Sequence, residues 1–235
     1  MNRLSDKIIV ALDVPTLKET EKLLQKLQGV VSYYKVGFEL FTAHGWKAVE
    51  LVKKYNAKVF LDLKLHDIPN TAARTAKVIC EHEVDMFNVH ALGGGDMMKA
   101  VRKSVDEYSG KKPVVIAVTL LTSHDEKTVK TEIGIQNEVL DAVIALAKLT
   151  QESGLAGVVC SPEEISAIRK SLGQDFILVT PGIRPQGSQK GDQKRTLTPQ
   201  EALKAGSSYL VIGRPITAAP SPKEAALSIL SSLRN

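Results

Sequence analysis

Cysteine is scarce: the 235 residues hold two, Cys80 and Cys160, far apart and in no CxxC or Cys/His cluster. That excludes a disulfide framework and a structural zinc site, and it fits a reducing compartment. Long apolar runs are missing too, since no stretch approaches the ~20 residues needed to span a bilayer. The opening MNRLSDKIIVALDVP lacks the apolar core and small-residue cleavage site of a signal peptide, so a cytosolic protein with no membrane partner is expected. Aromatic residues are few, at 5%, and are not interleaved with a basic tract. The net charge of +5 comes from dispersed pairs such as Lys53-Lys54 and Lys111-Lys112, mixed with acids. A nucleic-acid polymer is therefore not an expected partner, and a small anionic ligand accounts for the positive excess as well. No pyridoxal or thiamine motif and no metal-ligand cluster is present, so neither cofactor nor metal is expected.

What is present is an ordinary globular composition, 43% hydrophobic and 24% charged, able to bury a sizeable core. Short apolar runs alternate with helical periodicity along the whole chain. Strands are expected at 7–14, at 30–36, from Val59 to a point just before Asp67, and at 85–90, 113–119, 157–160, 176–180 and 209–212. Helices are expected at 16–27, 38–55, 71–83, 96–108, 137–153, from Ser161 onward, at 198–205 and at 221–233. Eight strand–helix units with no composition shift predict one α/β domain spanning 1–235, a closed (β/α)8 barrel. An open doubly wound sheet is the alternative. It would carry a glycine-rich turn after its first strand, where this chain has Asp13-Val14-Pro15.

In a barrel of this kind the chemistry sits at the C-terminal ends of the strands. Asp13, Lys35, Asp62, Lys64, His90, Thr119, Arg184 and Arg214 all fall at or just past such ends. Thr180-Pro181-Gly182-Ile183-Arg184 and Gly213-Arg214 follow strands seven and eight, the usual phosphate site of these barrels. Glycine lets backbone N–H groups approach an anion, and arginine supplies a fork matched to phosphate oxygens. The polar stretch 185–195, PQGSQKGDQKR, is either a disordered surface loop or a lid, and its placement favours a mobile phosphate lid. Gly93-Gly94-Gly95 reads as a tight turn into a helix, and His66 as a surface or supporting residue. His44, His82 and His124 have no ligand-like spacing.

The stretch FLDLKLHDIPNT, 60–71, is the centre of the pattern. Residues two apart in a strand share a face, so Asp62 and Lys64 lie on the Phe60 side, with Val59, Leu61 and Leu63 opposite. Asp67 lies just past the strand end and would reach Lys64 if the chain folds back or a partner subunit supplies it. Flanking carboxylates keep an ammonium protonated, the form a general acid needs. A carboxylate placed where an anionic substrate group must sit repels that group, a cost that remote phosphate binding can offset. Loss of carbon dioxide relieves the repulsion, and the lysine then protonates the carbanion.

ALDVP at 11–15, YKVG at 34–37, DLKLHDIPNT at 62–71, TPGIRP at 180–185, GDQKR at 191–195 and VIGRPI at 211–216 together make the chain resemble the orotidine 5′-phosphate decarboxylase family, in its shorter bacterial form. The resemblance covers essentially the whole chain. It implies cofactor-free decarboxylation of orotidine 5′-monophosphate to UMP and carbon dioxide, the last step of de novo UMP synthesis. It implies Asp62 pressing on the substrate carboxylate and Lys64 delivering the proton. It further implies a homodimer with shared sites, in which Asp67, Ile68 and Thr71 reach the neighbouring subunit. Asp13 and Lys35 are implied to hold ribose hydroxyls, and Thr122 the pyrimidine edge, with Ser123 close enough in sequence to leave that alignment open. Arg184, Gln193, Gly213 and Arg214 are implied to bind phosphate.

Two other readings remain to be weighed. Magnesium-dependent relatives, keto-gulonate phosphate decarboxylase and hexulose phosphate synthase, share the Asp-x-Lys-x-x-Asp strand but need an acidic metal ligand at the end of the second strand. Here that position is Lys35, a cation that would repel a metal. A non-catalytic nucleotide-binding barrel would keep Arg214 and the glycines but gain nothing from Asp62.

Overall fold

The structure is a computed structural model describing residues 4–185 and 196–234. Its strands are β1 (Ile8–Ala11), β2 (Tyr33–Gly37), β3 (Lys58–Leu65), β4 (Met86–His90), β5 (Val114–Val118), β6 (Gly157–Val159), β7 (Ile177–Thr180) and β8 (Tyr209–Ile212). Each pairs in parallel with the next, and β8 returns to β1 through Ile8↔Leu210, Ile9↔Val211 and Val10↔Ile212, closing the barrel.

The strands read as continuous apolar runs because both faces are covered. Inward residues Ile9, Ala11, Tyr33, Phe60, Met86, Ile116, Val179 and Val211 form an inner core. Their neighbours Ile8, Val10, Tyr34, Val59, Leu61 and Phe87 point outward into a larger core shared with the helices. Those helices are α1 (Leu17–Leu27), α2 (Phe38–His44), α3 (Trp46–Lys54), α4 (Pro69–Glu81), α5 (Gly94–Asp106), α6 (Val139–Glu152), α7 (Ile165–Leu172), α8 (Pro199–Ala205), α9 (Arg214–Thr217) and α10 (Pro222–Ser232). No helix among the described residues is long and apolar enough to cross a membrane.

Local chemistry sets several of the boundaries. Ser161 and Glu164 form a reciprocal cap before α7, as do Thr198 and Glu201 before α8. The helix expected over 38–55 is two helices, because Gly45, at φ +56°, takes a conformation in which a helix cannot continue. The helix expected from Thr71 begins at Pro69, whose ring suits the first helical position. Strand β1 stops at Ala11, so Asp13 lies beyond it on the rim. Elements not expected include 3-10 turns over Leu4–Lys7 and Ala91–Gly93, a π-helical turn over Thr128–Glu132 and the short helix α9. The triple glycine does form a tight entry to α5, with Gly94 at φ +84°. Of the stretch 185–195 read as a lid, residues 186–195, Gln193 among them, lie outside the described residues.

Candidate active site

The C-terminal ends of β1, β2 and β3 bring four charged side chains into one line. Lys35 Nζ lies 2.9 Å from Asp13 Oδ1 and 3.4 Å from Asp62 Oδ2, and Lys64 Nζ lies 2.7 Å from Asp62 Oδ1. The signs alternate: carboxylate, ammonium, carboxylate, ammonium. Register explains the line, since Ala11 pairs with Lys35 and Gly37 with Asp62 across adjacent strands. Exposure is graded, the side chains of Lys35 and Asp62 being 11% and 14% exposed against 56% for Asp13.

Burial on its own would favour neutral forms here, but the neighbouring charges outweigh it. Burial alone would push the Asp62 carboxyl up, yet Lys35, Lys64 and the hydrogen bonds from Lys64 and Asn88 hold it below its usual range. Burial alone would likewise push Lys35 down, and Asp62 and Asp13 raise it instead. The stability linked to Asp62 is present above the ordinary carboxylate pKa and lost as pH falls through the lowered value. That linked to Lys35 is present below the ordinary lysine pKa and lost as pH rises through the raised one. Lys35 and Asp62 are therefore both charged throughout the neutral range.

Gly37 has a steric reason to be glycine. A Cβ there would come within 2.6 Å of Lys35 Nζ and 3.4 Å of Asp13 Oδ1. Its φ of −103° is open to any residue, so the backbone itself imposes nothing. A methyl group would push the ammonium off its two carboxylates. Gly37→Ala is expected to change stability by no more than ~1 kcal/mol, because the obstructing atom ends a flexible side chain. It should nonetheless lower kcat/KM by roughly 10–100-fold for a reaction that uses this array, through misplacement of that charge. Thermal unfolding and steady-state kinetics measured side by side check this.

Asn88 is the residue that sequence reasoning missed. It is fully buried on β4, donates from Nδ2 to Asp62 Oδ1 at 2.7 Å, and accepts the Lys64 N–H at 2.7 Å. Lys64 itself adopts φ +49°, where the β3–β4 register shifts between Leu61 and Leu65. The available signal was a lone amide among the apolar Met86, Phe87 and Val89.

Beside the array lies a cavity lined by Lys35, Phe60, Asp62, Lys64 and, from the apolar side, Val118, Leu120, Val159, Pro181 and Val211. Thr122 is on its wall and Ser123 is not. Arg184 follows β7 and Arg214 opens α9, directly after Gly213 at the end of β8. Burial, followed by the charge of Arg214, holds the Arg184 guanidinium below its ordinary value. Two guanidinium groups that feel each other's charge can together attract an anion.

Other expected residues are placed differently. Asp67 accepts the Ile68 N–H at 2.7 Å, and among the described residues no cation lies within 4.0 Å of it. Ile68 caps α4 and is 67% exposed, and Thr71 sits in the first turn of that helix. Thr119 is fully buried with its hydroxyl donating to the Val159 carbonyl, a structural bond rather than a place on the rim. His90 stacks on His66 with ring centroids 5.4 Å apart, and burial, then the charges of His66, Lys64 and His124, lowers its pKa to about 4. It is thus neutral at neutral pH and accepts the Leu92 N–H.

The model of the orotidine 5′-phosphate decarboxylase / HUMPS family matches residues 6–229. The chain belongs to that family. Among orotidine 5′-phosphate decarboxylases, that of Moorella thermoacetica is 52% identical over 232 residues, covering 97% of this chain and 92% of the relative. The Trichlorobacter lovleyi enzyme is 50% identical, covering 97% and 95%. The crystal structure of orotidine 5′-phosphate decarboxylase from Lactobacillus acidophilus superposes with a TM-score of 0.86 at 36% identity, covering 98% of this chain and 100% of that one. Membership of the orotidine 5′-phosphate decarboxylase / HUMPS family agrees with the closed barrel, and the charged line lies at the strand ends where barrels of this kind do their chemistry.

Proposed function

We propose that the chain decarboxylates orotidine 5′-monophosphate to UMP and carbon dioxide in pyrimidine biosynthesis, using its own charged side chains and no cofactor. The observation that carries this reading is the Asp13–Lys35–Asp62–Lys64 line beside an apolar cavity. The substrate's ring lies along Val118, Val159, Pro181 and Val211, with Thr122 at its edge. The ribose hydroxyls meet Asp13 and Lys35, and the phosphate meets Arg184, Gly213 and Arg214. Phosphate binding supplies the energy that forces the substrate carboxylate against Asp62. The bond between the ring carbon and the carboxylate carbon breaks, and its electron pair stays on the ring carbon. The Lys64 ammonium stabilises that charge and donates its proton, and the resulting amine regains a proton from solvent.

The working unit in this proposal is a homodimer in which Asp67, Ile68 and Thr71 of each subunit complete the other's site. Support comes from Asp67, which has no cation within 4.0 Å among the described residues, and from the exposed apolar side chains Ile68, Phe38 and Leu92 after β3, β2 and β4. The substrate is a soluble nucleotide, and we place the enzyme in the cytoplasm with it.

The family name spans a second branch, and Lys35 speaks against it here. Its ammonium sits 3.4 Å from Asp62, a fixed cation beside that carboxylate that would repel a divalent one. The test is to mix purified protein with orotidine 5′-monophosphate and follow UMP and carbon dioxide. Equal amounts of both, formed catalytically, are expected. Tight nucleotide binding without turnover would leave a binding barrel and overturn the proposal.

A further inference from the structure

We propose that Asn88 is a positioning residue for the decarboxylation, the strut that fixes both the Asp62 carboxylate and the backbone that carries Lys64. The proposal rests on the functional reading above and concerns a residue that reading does not use.

The geometry allows Asn88 one orientation. Its Nδ2 faces the Asp62 Oδ1 acceptor and its Oδ1 faces the Lys64 N–H donor, each at 2.7 Å. Turning the amide over would set donor against donor and acceptor against acceptor, so these partners define the assignment. Being fully buried, it has no water competing for either bond. Both partners also need holding. Lys64 has φ +49°, a conformation a non-glycine residue keeps only when its surroundings impose it, and the ladder to β4 is interrupted there. The side chain of Asn88 takes the place of the lost ladder bond. Asp62 Oδ1 receives both Lys64 Nζ and Asn88 Nδ2, so one amide sets where the carboxylate points and where the lysine starts. The charged groups facing this amide are Asp62 and Lys64 on β3, then Lys35 on β2 with Asp13 behind it; His90 lies two residues along its own strand.

Asn88→Asp separates the two duties, because it keeps an acceptor for the Lys64 N–H and replaces the donor to Asp62 with a second carboxylate. Two carboxylates this close repel each other and raise the pKa of one, so that it takes up a proton as pH falls and becomes a donor again. In the wild type kcat is expected to show no such rise. At neutral pH the variant should lose on the order of 10²-fold in kcat, as expected for a reacting group displaced by about 1 Å. Its UMP affinity should stay close to wild type, and its kcat should climb on acidification.

Full chains of wild type, Asn88→Asp and Asn88→Ala are compared for kcat, KM, UMP affinity and thermal unfolding from pH 5 to 8. If Asn88→Asp does not fold, the smaller Asn88→Ala carries the comparison of kcat with UMP affinity. A selective loss of kcat, with the acid rise in Asn88→Asp when that variant folds, supports the proposal. Unimpaired kcat overturns it, as does a loss of kcat matched by equal losses of UMP affinity and thermal stability. A wild type that does not decarboxylate overturns the functional reading and the proposal with it, whereas an active wild type beside an unimpaired variant overturns the proposal alone.

Discussion

Lys64→Ala is expected to abolish measurable decarboxylation while leaving UMP binding nearly intact. Two losses combine. Removing a general acid costs ~10²–10⁴-fold, and removing a charge aimed at the reacting carbon costs a further ~10²–10³-fold. A fall in kcat of at least ~10⁴-fold follows from the pair. Binding survives because the phosphate and ribose contacts assigned to Arg184, Arg214, Asp13 and Lys35 do not involve this side chain. Titration with UMP beside a turnover assay separates the effects. Joint loss of binding and turnover would make Lys64 a structural residue.

Asp62→Ala is expected to lower turnover and stability while raising substrate affinity. Turnover should fall by on the order of 10²–10³-fold, as when one preorganised electrostatic group is removed. Stability should fall by roughly 3–5 kcal/mol, because Lys35 is left buried with only the more exposed Asp13 as its carboxylate and Lys64 loses its partner. Affinity for orotidine 5′-monophosphate should rise, since two cations now face the substrate carboxylate with no anion between them. The rise is the informative part. It is the signature of a group whose presence opposes the bound substrate, and weaker binding would show that Asp62 assists the ground state instead.

Much of this was legible in the chain. The barrel followed from eight apolar runs alternating with helical periodicity, and β3 and β8 lie where those runs put them. Asp62 and Lys64 declared themselves as charges inside an apolar strand, and their shared face with Phe60 lines the cavity. The period-two rule did not foresee that Lys64 leaves strand geometry, because a register shift depends on pairing with β4 rather than on local sequence. Asn88 stayed hidden for the same reason: its partners lie 24 and 26 residues away. Gly45 was read as part of a helix because the apolar period continues on both sides of it. Thr119 was taken for a rim residue from its place at a strand end, yet its hydroxyl turns to the neighbouring strand. Asp67 was hard to place within one chain, as expected of a residue whose proposed target belongs to another.

The account's central claim is that the charged side chains of this chain carry the reaction by themselves. Cofactor-free decarboxylation must draw on the upper part of the ~8–23 kcal/mol by which enzymes lower barriers, and a bound metal is the obvious competing source. The direct test is the rate of orotidine 5′-monophosphate decarboxylation by protein dialysed against EDTA, assayed with EDTA present and again after excess magnesium. The account predicts the same rate in all conditions. A rate that collapses with chelator and returns with magnesium would contradict it, and would move the protein to the metal-dependent branch of its family.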